Sequence, residues 1–223
     1  MTEISEQAVG RAQIEALARS GPAHLVDCDL EGASLAQPDL AGWTFERCNL
    51  RRADLSGCKL EGTRWQSCRG PFAGFVGADL SEARFAGCDL NNAVLRRANL
   101  YAAAFRSCKL TGADLAEARP VDLLFEETLL VNAKLPGFSF RKQMLRRVDF
   151  SDADLRKCDF RATEFEACSL RGADLRGARF EGADLRSADL GGLKLADAVL
   201  FRGAIVSRAQ AADLLGELGI SVL

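Results

Sequence analysis

Apolar residues recur at every fifth position through most of the chain. Counting in fives from Leu25 to Ile205 gives 37 positions, and 35 of them are Leu, Phe, Trp or Ile; only Gly70 and Pro120 interrupt the series. Two residues before these positions stands Ala, Cys, Thr or Gly in 30 of the 37 cases. A period of five fits neither an α-helix, at about 3.6 residues per turn, nor a strand, at about 2, so each pentad must form one side of a larger coil.

Residue types recur every 20 residues, that is, every fourth pentad, which indicates coils with four sides. The small inward position holds one column of cysteines, Cys28, Cys48, Cys68, Cys88, Cys108 and Cys168, interrupted by Thr128 and Val148. Outward charges alternate in sign at the same spacing, at Arg106, Glu126, Arg146, Glu166 and Arg186. Aromatic residues also recur, at Phe45, Trp65, Phe85, Phe105, Phe125 and Phe165. The pattern predicts an all-β solenoid of about nine four-sided coils, with opposite charges stacked on neighbouring strands.

Repeated Ala-Asp-Leu triplets give the chain a family resemblance. They stand at 53–55, 78–80, 113–115, 153–155, 173–175 and 183–185. This tiling resembles the pentapeptide repeat family over residues 23–206. The resemblance implies a right-handed quadrilateral β-helix for that segment.

The segment 1–22 lacks the pentad pattern and is expected to form an N-terminal capping helix. Apolar residues recur there at helical intervals, and Gly21-Pro22 provides a stop. The residues concerned are Ile4, Ala8, Ala12 and Leu17. An amphipathic helix of this kind would cover the apolar end of the first coil.

Residues 207–223 predict a second helix followed by an apolar tail. Ser207 is placed to cap a helix that runs to about Leu218, and Gly219 would end it. Two interpretations stay open: a second cap, or a two-fold homodimer contact through Leu214, Leu215, Leu218, Ile220 and Leu223. The tail is similar to that of the Qnr- and MfpA-type proteins that protect DNA gyrase, in which the C-terminal end forms such a dimer.

The sequence favours no catalytic centre, cofactor site or metal site. His24 is the only histidine, so catalytic triads and multi-histidine metal sites lack parts. All eight cysteines occupy the small inward position and are expected to pack as small apolar groups. The aspartates before the apolar centres, such as Asp54, Asp114, Asp154 and Asp174, are expected to bond the local backbone as turn residues.

Charge balance argues against direct binding of nucleic acid. Lys and Arg total 29 against 31 for Asp and Glu, and residues 23–205 carry 26 of each. The Qnr resemblance implies mimicry of duplex DNA, but a DNA-like rod of about 43 Å would need on the order of 25 uncompensated charges. A candidate acidic patch is confined to Asp149, Asp152, Asp154 and Asp159. With no apolar run of about 20 residues and no signal peptide, no membrane contact is expected and the predicted location is cytoplasmic.

The repeat loosens between residues 119 and 147, which marks a candidate protein contact. Apolar side chains occupy outward positions there and just before, at Tyr101, Val121, Leu124, Leu129, Val131 and Met144. Leu124 and Met144 are one coil apart in the same column. No inserted loop interrupts residues 25–205, unlike in many Qnr-type proteins.

Two functions follow for a protein that is not an enzyme. The first is Qnr- or MfpA-like binding to DNA gyrase or topoisomerase IV, which protects the topoisomerase from inhibitors such as quinolones. The alternative is a pentapeptide-repeat scaffold that docks another protein through this side patch.

Overall fold

The computed structural model describes residues 2–191, 195–216 and 218–221. The chain divides into two compact units, Met1–Leu129 and Leu130–Leu223. The first unit contains β1 (Thr2–Ser5), α1 (Arg11–Ala18), β2 (Ala23–Val26), β3 (Thr44–Glu46), β4 (Arg64–Gln66), β5 (Arg84–Ala86), β6 (Ala104–Arg106) and β7 (Leu124–Glu126). The second contains β8 (Met144–Arg146), β9 (Glu164–Glu166), a 3₁₀ helix (Leu195–Phe201) and α2 (Arg208–Gly216).

The strands within each unit pair in parallel, one coil apart. In the first unit His24 on β2 aligns with Thr44 on β3, and the same offset of four pentads continues to β7. The other sides of the coil pair through single bridges at the same offset, such as Ser34 with Asp54. The second unit repeats the pattern, with Met144 on β8 beside Glu164 on β9. The predicted all-β solenoid is confirmed, and β2 to β9 mark about eight turns where the sequence predicted about nine.

The core consists of stacked pentad centres. In the first unit Phe45, Trp65, Phe85 and Phe105 are at most 2% exposed, and successive ring centroids lie 3.9, 5.5 and 4.7 Å apart. This column confirms the predicted aromatic stacking. In the second unit the stacked rings belong to another column, Phe140, Phe160 and Phe180, with centroids 5.1 and 5.0 Å apart.

Gly70, one of the two breaks in the pentad series, leaves no hole in the core. It is buried, and a Cβ added there would lie 3.1 Å from Leu90 Cδ2 and 3.3 Å from Leu50 Cβ. The neighbouring leucines therefore occupy the space that a leucine at this centre would fill.

Each corner of the coil needs a left-handed residue. The residue two positions after a pentad centre has a positive φ throughout most of the solenoid, for example 63° at Gly32 and 54° at Ala162. At many corners the centre carbonyl accepts a hydrogen bond from the residue three positions later, as in Ala33 N to Leu30 O at 3.1 Å. This is the geometry of a β-turn with a left-handed third residue. One such turn ends each side of the coil, which explains the pentad period.

The predicted N-terminal helix is correct for Arg11–Ala18 and wrong for the residues before it. Thr2–Ser5 form β1, which pairs in parallel with β2. The first coil has a free edge of backbone N–H and C=O groups, and an added strand satisfies them. The helix begins only after Gly10, whose backbone is extended, and it buries Ile14 completely.

The pentad phase predicted to Ile205 is lost in the final coil. Residues 195–201 form a 3₁₀ helix, and Leu185 N donates to Ile205 O at 2.8 Å, one position beyond the acceptor that the register of the earlier coils predicts. Phe201 is therefore buried, with its ring centroid 4.9 Å from that of Phe180. Ile205, predicted to point inward, is 50% exposed.

The predicted cap of the C-terminal helix is confirmed. Ser207 Oγ accepts a hydrogen bond from Gln210 N at 3.2 Å, and Gln210 Oε1 accepts one from Ser207 N at 2.7 Å. This reciprocal pair is a capping box. Gln210 Nε2 also donates to the carbonyls of Leu185 and Ala188, both at 2.8 Å, and so ties α2 to the preceding coil.

Among the residues described, no helix has the length and apolar character needed to cross a membrane.

Candidate functional site

The cysteines lie inside the coils and are bonded to backbone. All eight are buried and free. Cys68 Sγ donates to Phe45 O at 3.3 Å, and Cys88 Sγ donates to Trp65 O at 3.4 Å. Thr128 fills the same position and donates to Phe105 O at 3.1 Å, so this interruption of the cysteine column keeps the same contact. These hydrogen bonds connect one coil to the previous one, so the side chains at this position have a structural role.

Burial also makes the thiols of Cys58 and Cys158 poor nucleophiles. It raises the pKa of Cys58 and of Cys158 to about 12. Since the thiolate is the reactive form, these side chains are inert near neutral pH.

The aspartates before the pentad centres bond the turn backbone, as predicted. Asp54 Oδ1 accepts from Ser56 N at 3.0 Å, Asp114 Oδ1 from Ala116 N at 3.0 Å and Asp174 Oδ1 from Arg176 N at 3.2 Å. A carboxylate that bonds a backbone N–H two residues on forms an Asx turn. These aspartates therefore stabilise the turns at the corners of the coil.

Much of the candidate acidic patch is neutralised by neighbouring arginines. Asp154 accepts two hydrogen bonds from the Arg156 guanidinium, at 2.8 and 2.7 Å, and Asp159 accepts two from that of Arg161, at 2.8 and 2.5 Å. The arginine bonds lower the pKa of both carboxyl groups. Asp149 accepts from the backbone and hydroxyl of Ser151. A role of Asp149, Asp152, Asp154 and Asp159 in partner binding stays a prediction.

The outward charges form ladders between coils, with one exception to the predicted order. Arg106 Nε lies 3.1 Å from Glu126 Oε2 in the first unit, and Arg146 Nε lies 3.0 Å from Glu166 Oε2 in the second. Arg186, predicted to continue the ladder, pairs with Asp184 at the start of its own turn. The Asx turn already holds the Asp184 carboxylate next to Arg186. It is therefore nearer to the Arg186 guanidinium than a carboxylate of the neighbouring coil would be.

His24 lies on β2 between two carboxylates. Its Nδ1 is 3.4 Å from Glu3 Oε2, and its Nε2 is 3.3 Å from Glu46 Oε2. The side chain thus lies between carboxylates of β1 and β3, but its buried Nε2 makes no hydrogen bond to any described residue. In the described part of the chain, no group of three or more His, Cys, Asp or Glu side chains is arranged to hold a metal ion.

The candidate partner contact is only partly assembled within one unit. Tyr101 and Val121 are 47% and 55% exposed and occupy neighbouring coils, and Leu124 is half-buried on β7. Leu129 is 39% exposed but bridges Lys109 on a different side of the coil.

The remaining two members, Val131 and Met144, belong to the second unit. Val131 is half-buried and Met144 is 43% exposed. A patch that joins them to Leu124 stays a prediction.

The C-terminal tail presents apolar side chains to solvent. Leu215, Leu218 and Ile220 are 39%, 53% and 50% exposed, while Leu214 is half-buried. Leu223, the last residue of the predicted dimer contact, lies outside the described residues.

The pentapeptide repeat model matches eight copies in this chain, over residues 23–64, 75–118, 125–161 and 163–200. The chain belongs to the pentapeptide repeat family. The matched ranges contain β2, β3, β5, β6, β8 and β9 in full and only part of β4 and β7, and they exclude α1 and α2. The family's repeat therefore accounts for the coils, and the terminal helices are additions to it.

Among solved structures, QnrB1 is similar to this chain over almost its whole length. Full-length QnrB1, described as a plasmid-mediated fluoroquinolone resistance protein, has a TM-score of 0.66 and 22% identity over 98% of this chain and 100% of that chain. A trypsin-treated form of QnrB1 has a TM-score of 0.62 and 22% identity over 100% and 98%. HetL from the cyanobacterium Nostoc, a protein involved in regulation of heterocyst differentiation, scores 0.48 with 20% identity over 85% and 87%. A comparison with curated proteins finds no match.

Proposed function

We propose that this chain is a non-enzymatic binding protein that engages a type II topoisomerase, DNA gyrase or topoisomerase IV, and protects it from inhibitors such as quinolones. The observation that carries the proposal is the likeness to full-length QnrB1, which covers 98% of this chain and the whole of that one. The likeness thus includes the ends as well as the repeated coils.

The chemistry of the described residues supports binding over catalysis. The thiols are buried and bonded to backbone carbonyls. The turn aspartates are engaged by backbone N–H groups and by arginines. What remains for function is the outward surface, which suits recognition of a protein.

The proposed contact does not depend on a continuous row of carboxylates. Residues 23–205 carry equal numbers of acidic and basic side chains, and Asp154 and Asp159 are paired with arginines. We therefore propose protection through protein-protein contact at a limited surface, without direct binding of nucleic acid. The proposed location is the cytoplasm, and the proposed assembly is a homodimer through the C-terminal tail.

A gyrase assay tests the topoisomerase proposal. Supercoiling and DNA cleavage are measured with a quinolone, with and without micromolar protein, and heat-unfolded protein serves as the control. We expect folded protein to reduce quinolone-induced cleavage and to bind gyrase directly. Absence of binding, of inhibition and of rescue, with both gyrase and topoisomerase IV, would contradict the proposal.

The second candidate function is that of a scaffold for a different protein. Phe72, Tyr101 and Val121 are 52%, 47% and 55% exposed, more than packing of the coils requires. If the topoisomerase assays are negative and substitution of these side chains by Ser leaves the fold intact, the scaffold becomes the better description.

A further inference from the structure

Two arginines on neighbouring strands of the first unit face solvent without a counter-charge. Arg64 begins β4, Arg84 begins β5, and the two are aligned in the parallel ladder. Both are exposed, and neither makes an ion pair with a carboxylate of the described residues. Aligned strands lie about 4.8 Å apart, and like charges directly opposite each other are destabilising. The stability of the coil therefore does not account for this pair.

The residues around the pair do not neutralise it. The next outward positions on β4 and β5 are Gln66 and Ala86, which carry no charge. Glu61 and Glu82 precede the strands at exposed corners, but neither forms an ion pair with these arginines. Elsewhere in the same unit, by contrast, Arg47 pairs with Asp27 at 2.7 Å and Arg97 with Glu117 at 2.8 Å.

An apolar surface continues from the arginine pair along the same side of the unit. The position aligned with Arg84 is Ala104 on β6, and the next is Leu124 on β7. The corners before these two strands carry Tyr101 and Val121, which are 47% and 55% exposed. Their coils are directly bonded, since Ala102 N donates to Val121 O at 2.8 Å. Along these positions, one side of β4 to β7 thus changes from unpaired arginines to apolar side chains over three strand spacings, about 14 Å. The other outward positions of β6 and β7 hold Arg106 and Glu126, which pair with each other.

We propose that this side of β4 to β7 binds a protein segment that places carboxylates on Arg64 and Arg84 and apolar side chains on Tyr101, Val121 and Leu124. Guanidinium groups bind carboxylates through paired, charge-assisted hydrogen bonds. An exposed apolar area beside them gains from removal from water. The segment lies along the coil axis, and roughly four to five extended residues cover the distance from β4 to β7.

The distribution of charge favours a protein segment over a nucleic acid. A nucleic-acid backbone carries a charge at every nucleotide, and its binding surfaces are basic along their length. Here the unpaired positive charge is confined to β4 and β5, because Arg106 on β6 is paired with Glu126 on β7. This inference rests on the proposed binding function, but it does not require the partner to be a topoisomerase.

A fluorescein-labelled synthetic peptide tests the surface. The peptide has a short block of Asp and Glu followed by a short block of Leu and Phe, and fluorescence anisotropy measures its binding to the full chain. We expect saturable binding that weakens as salt rises. An isomeric peptide in which the acidic and apolar residues alternate is expected to bind about tenfold more weakly, because only the block order matches the surface.

Paired variants locate the binding. Arg64→Glu with Arg84→Glu should weaken peptide binding by about tenfold or more, and Tyr101→Ser with Val121→Ser should weaken it by about the same factor. Arg69→Glu with Lys109→Glu is the matched control, because it makes the same change of net charge at exposed positions on another side of the unit, in the coils of β4 and β6. Circular dichroism confirms that each variant is folded.

Three results would overturn the inference. These are no saturable binding of the block peptide, equal losses in the control and test arginine variants, or displacement of the peptide by a single-stranded oligonucleotide that binds more tightly. None of these measurements uses a topoisomerase, so their failure leaves the gyrase assay to decide the proposed function by itself.

Discussion

At the scale of single residues, the corner positions carry the backbone strain of the fold. Non-glycine residues such as Arg52, Ala102 and Ala162 hold φ values of 56°, 52° and 54°. The left-handed region costs an L-residue roughly 1–2 kcal/mol. Glycine at other corners avoids this cost, so corner identity is a direct control on stability.

Ala162→Gly should stabilise the protein. Relief of the left-handed strain exceeds the entropy that glycine loses on folding, so we expect the free energy of unfolding to rise by about 0.5–1 kcal/mol. The matched control is Ala116→Gly, because Ala116 precedes the left-handed residue in an equivalent turn and does not have a positive φ. The control should lower stability by about 0.5–1 kcal/mol. Urea unfolding measures both, and a lower midpoint for Ala162→Gly would contradict the strain argument.

The inward cysteines show how one position serves packing and hydrogen bonding together. Cys168 Sγ donates to Leu145 O at 3.3 Å, and Thr163 Oγ1 donates to Phe140 O at 2.7 Å from the equivalent position on another side. Cys158 Sγ donates to a carbonyl of the previous coil in the same way. Where this position holds Cys or Thr, the small side chain therefore packs inward and also donates to a carbonyl.

The thiols should be unreactive until the chain unfolds. Folded protein mixed with Ellman's reagent at pH 8 is expected to release almost no thionitrobenzoate within minutes, because the thiols are buried and burial raises the pKa of Cys58 and Cys158 to about 12. In guanidinium chloride all eight cysteines should react. Rapid reaction of one or more thiols in the folded state would contradict this prediction, because it would show that the reagent reaches the interior of the coils.

At the scale of elements, the turns of the second unit combine an Asx turn with an ion pair. Asp154, Asp174 and Asp184 each bond the backbone N–H and the guanidinium of the arginine two residues later. The arginine bonds lower the pKa of all three carboxyl groups. The turns are thus stabilised by the charged form of the carboxylate.

This coupling predicts a stability that declines in acid. A carboxyl group with a lowered folded-state pKa contributes fully above its unfolded pKa of about 3.9, and the contribution is lost as pH falls through the folded-state value. We expect the unfolding free energy of the wild type to rise from about pH 2.5 to about pH 5, and Asp154→Asn to show a smaller rise.

Asp152→Asn provides the control for the acid experiment. Asp152 lies at the adjacent corner and makes no ion pair among the described residues. Its curve is expected to follow that of the wild type, while identical curves for Asp154→Asn and the wild type would rule out the turn ion pair as a source of acid sensitivity. Urea unfolding monitored by circular dichroism at each pH supplies the data.

At the scale of the whole molecule, the two ends of the solenoid are covered by different elements. The first coil is extended by a strand, β1, and the last is followed by a capped helix that leaves Leu215, Leu218 and Ile220 exposed. Exposed leucines in series are costly for a monomer and are typical of a contact surface. The surface charge, in contrast, is nearly balanced at −2 and provides little repulsion between copies.

The exposed tail predicts self-association. Leu215→Asp with Leu218→Asp should convert a dimer to a monomer, since it places carboxylates in an apolar contact. Sedimentation velocity compares this variant with Ala209→Asp plus Ser221→Asp, which adds the same charge at exposed positions nearby. If both variants sediment like the parent, the tail is not the contact.

Several parts of the fold and the surface could be predicted, and others could not. The inward positions of Cys68 and Cys88 and the turn role of Asp54 follow from local repetition. β1 could not be predicted, because its residues have a pattern open to helix or strand, and only the free edge of β2 decides between them. The pentad pattern does not mark the pair formed by Arg64 and Arg84, although two arginines one coil apart are visible in the sequence.

The pentad period, the inward and outward faces and the turn chemistry can be predicted from the amino-acid sequence, because burial of a centre and closure of a corner depend on residues within a few positions. The strand at the N-terminus, the burial of Phe201 in place of Leu200 and the pairing of Arg186 with Asp184 are seen only in the folded structure. Those outcomes depend on which backbone groups and charges come together between coils. The local repeat therefore determines the coil, whereas contacts between backbone groups and charges of neighbouring coils determine its ends and its ion pairs.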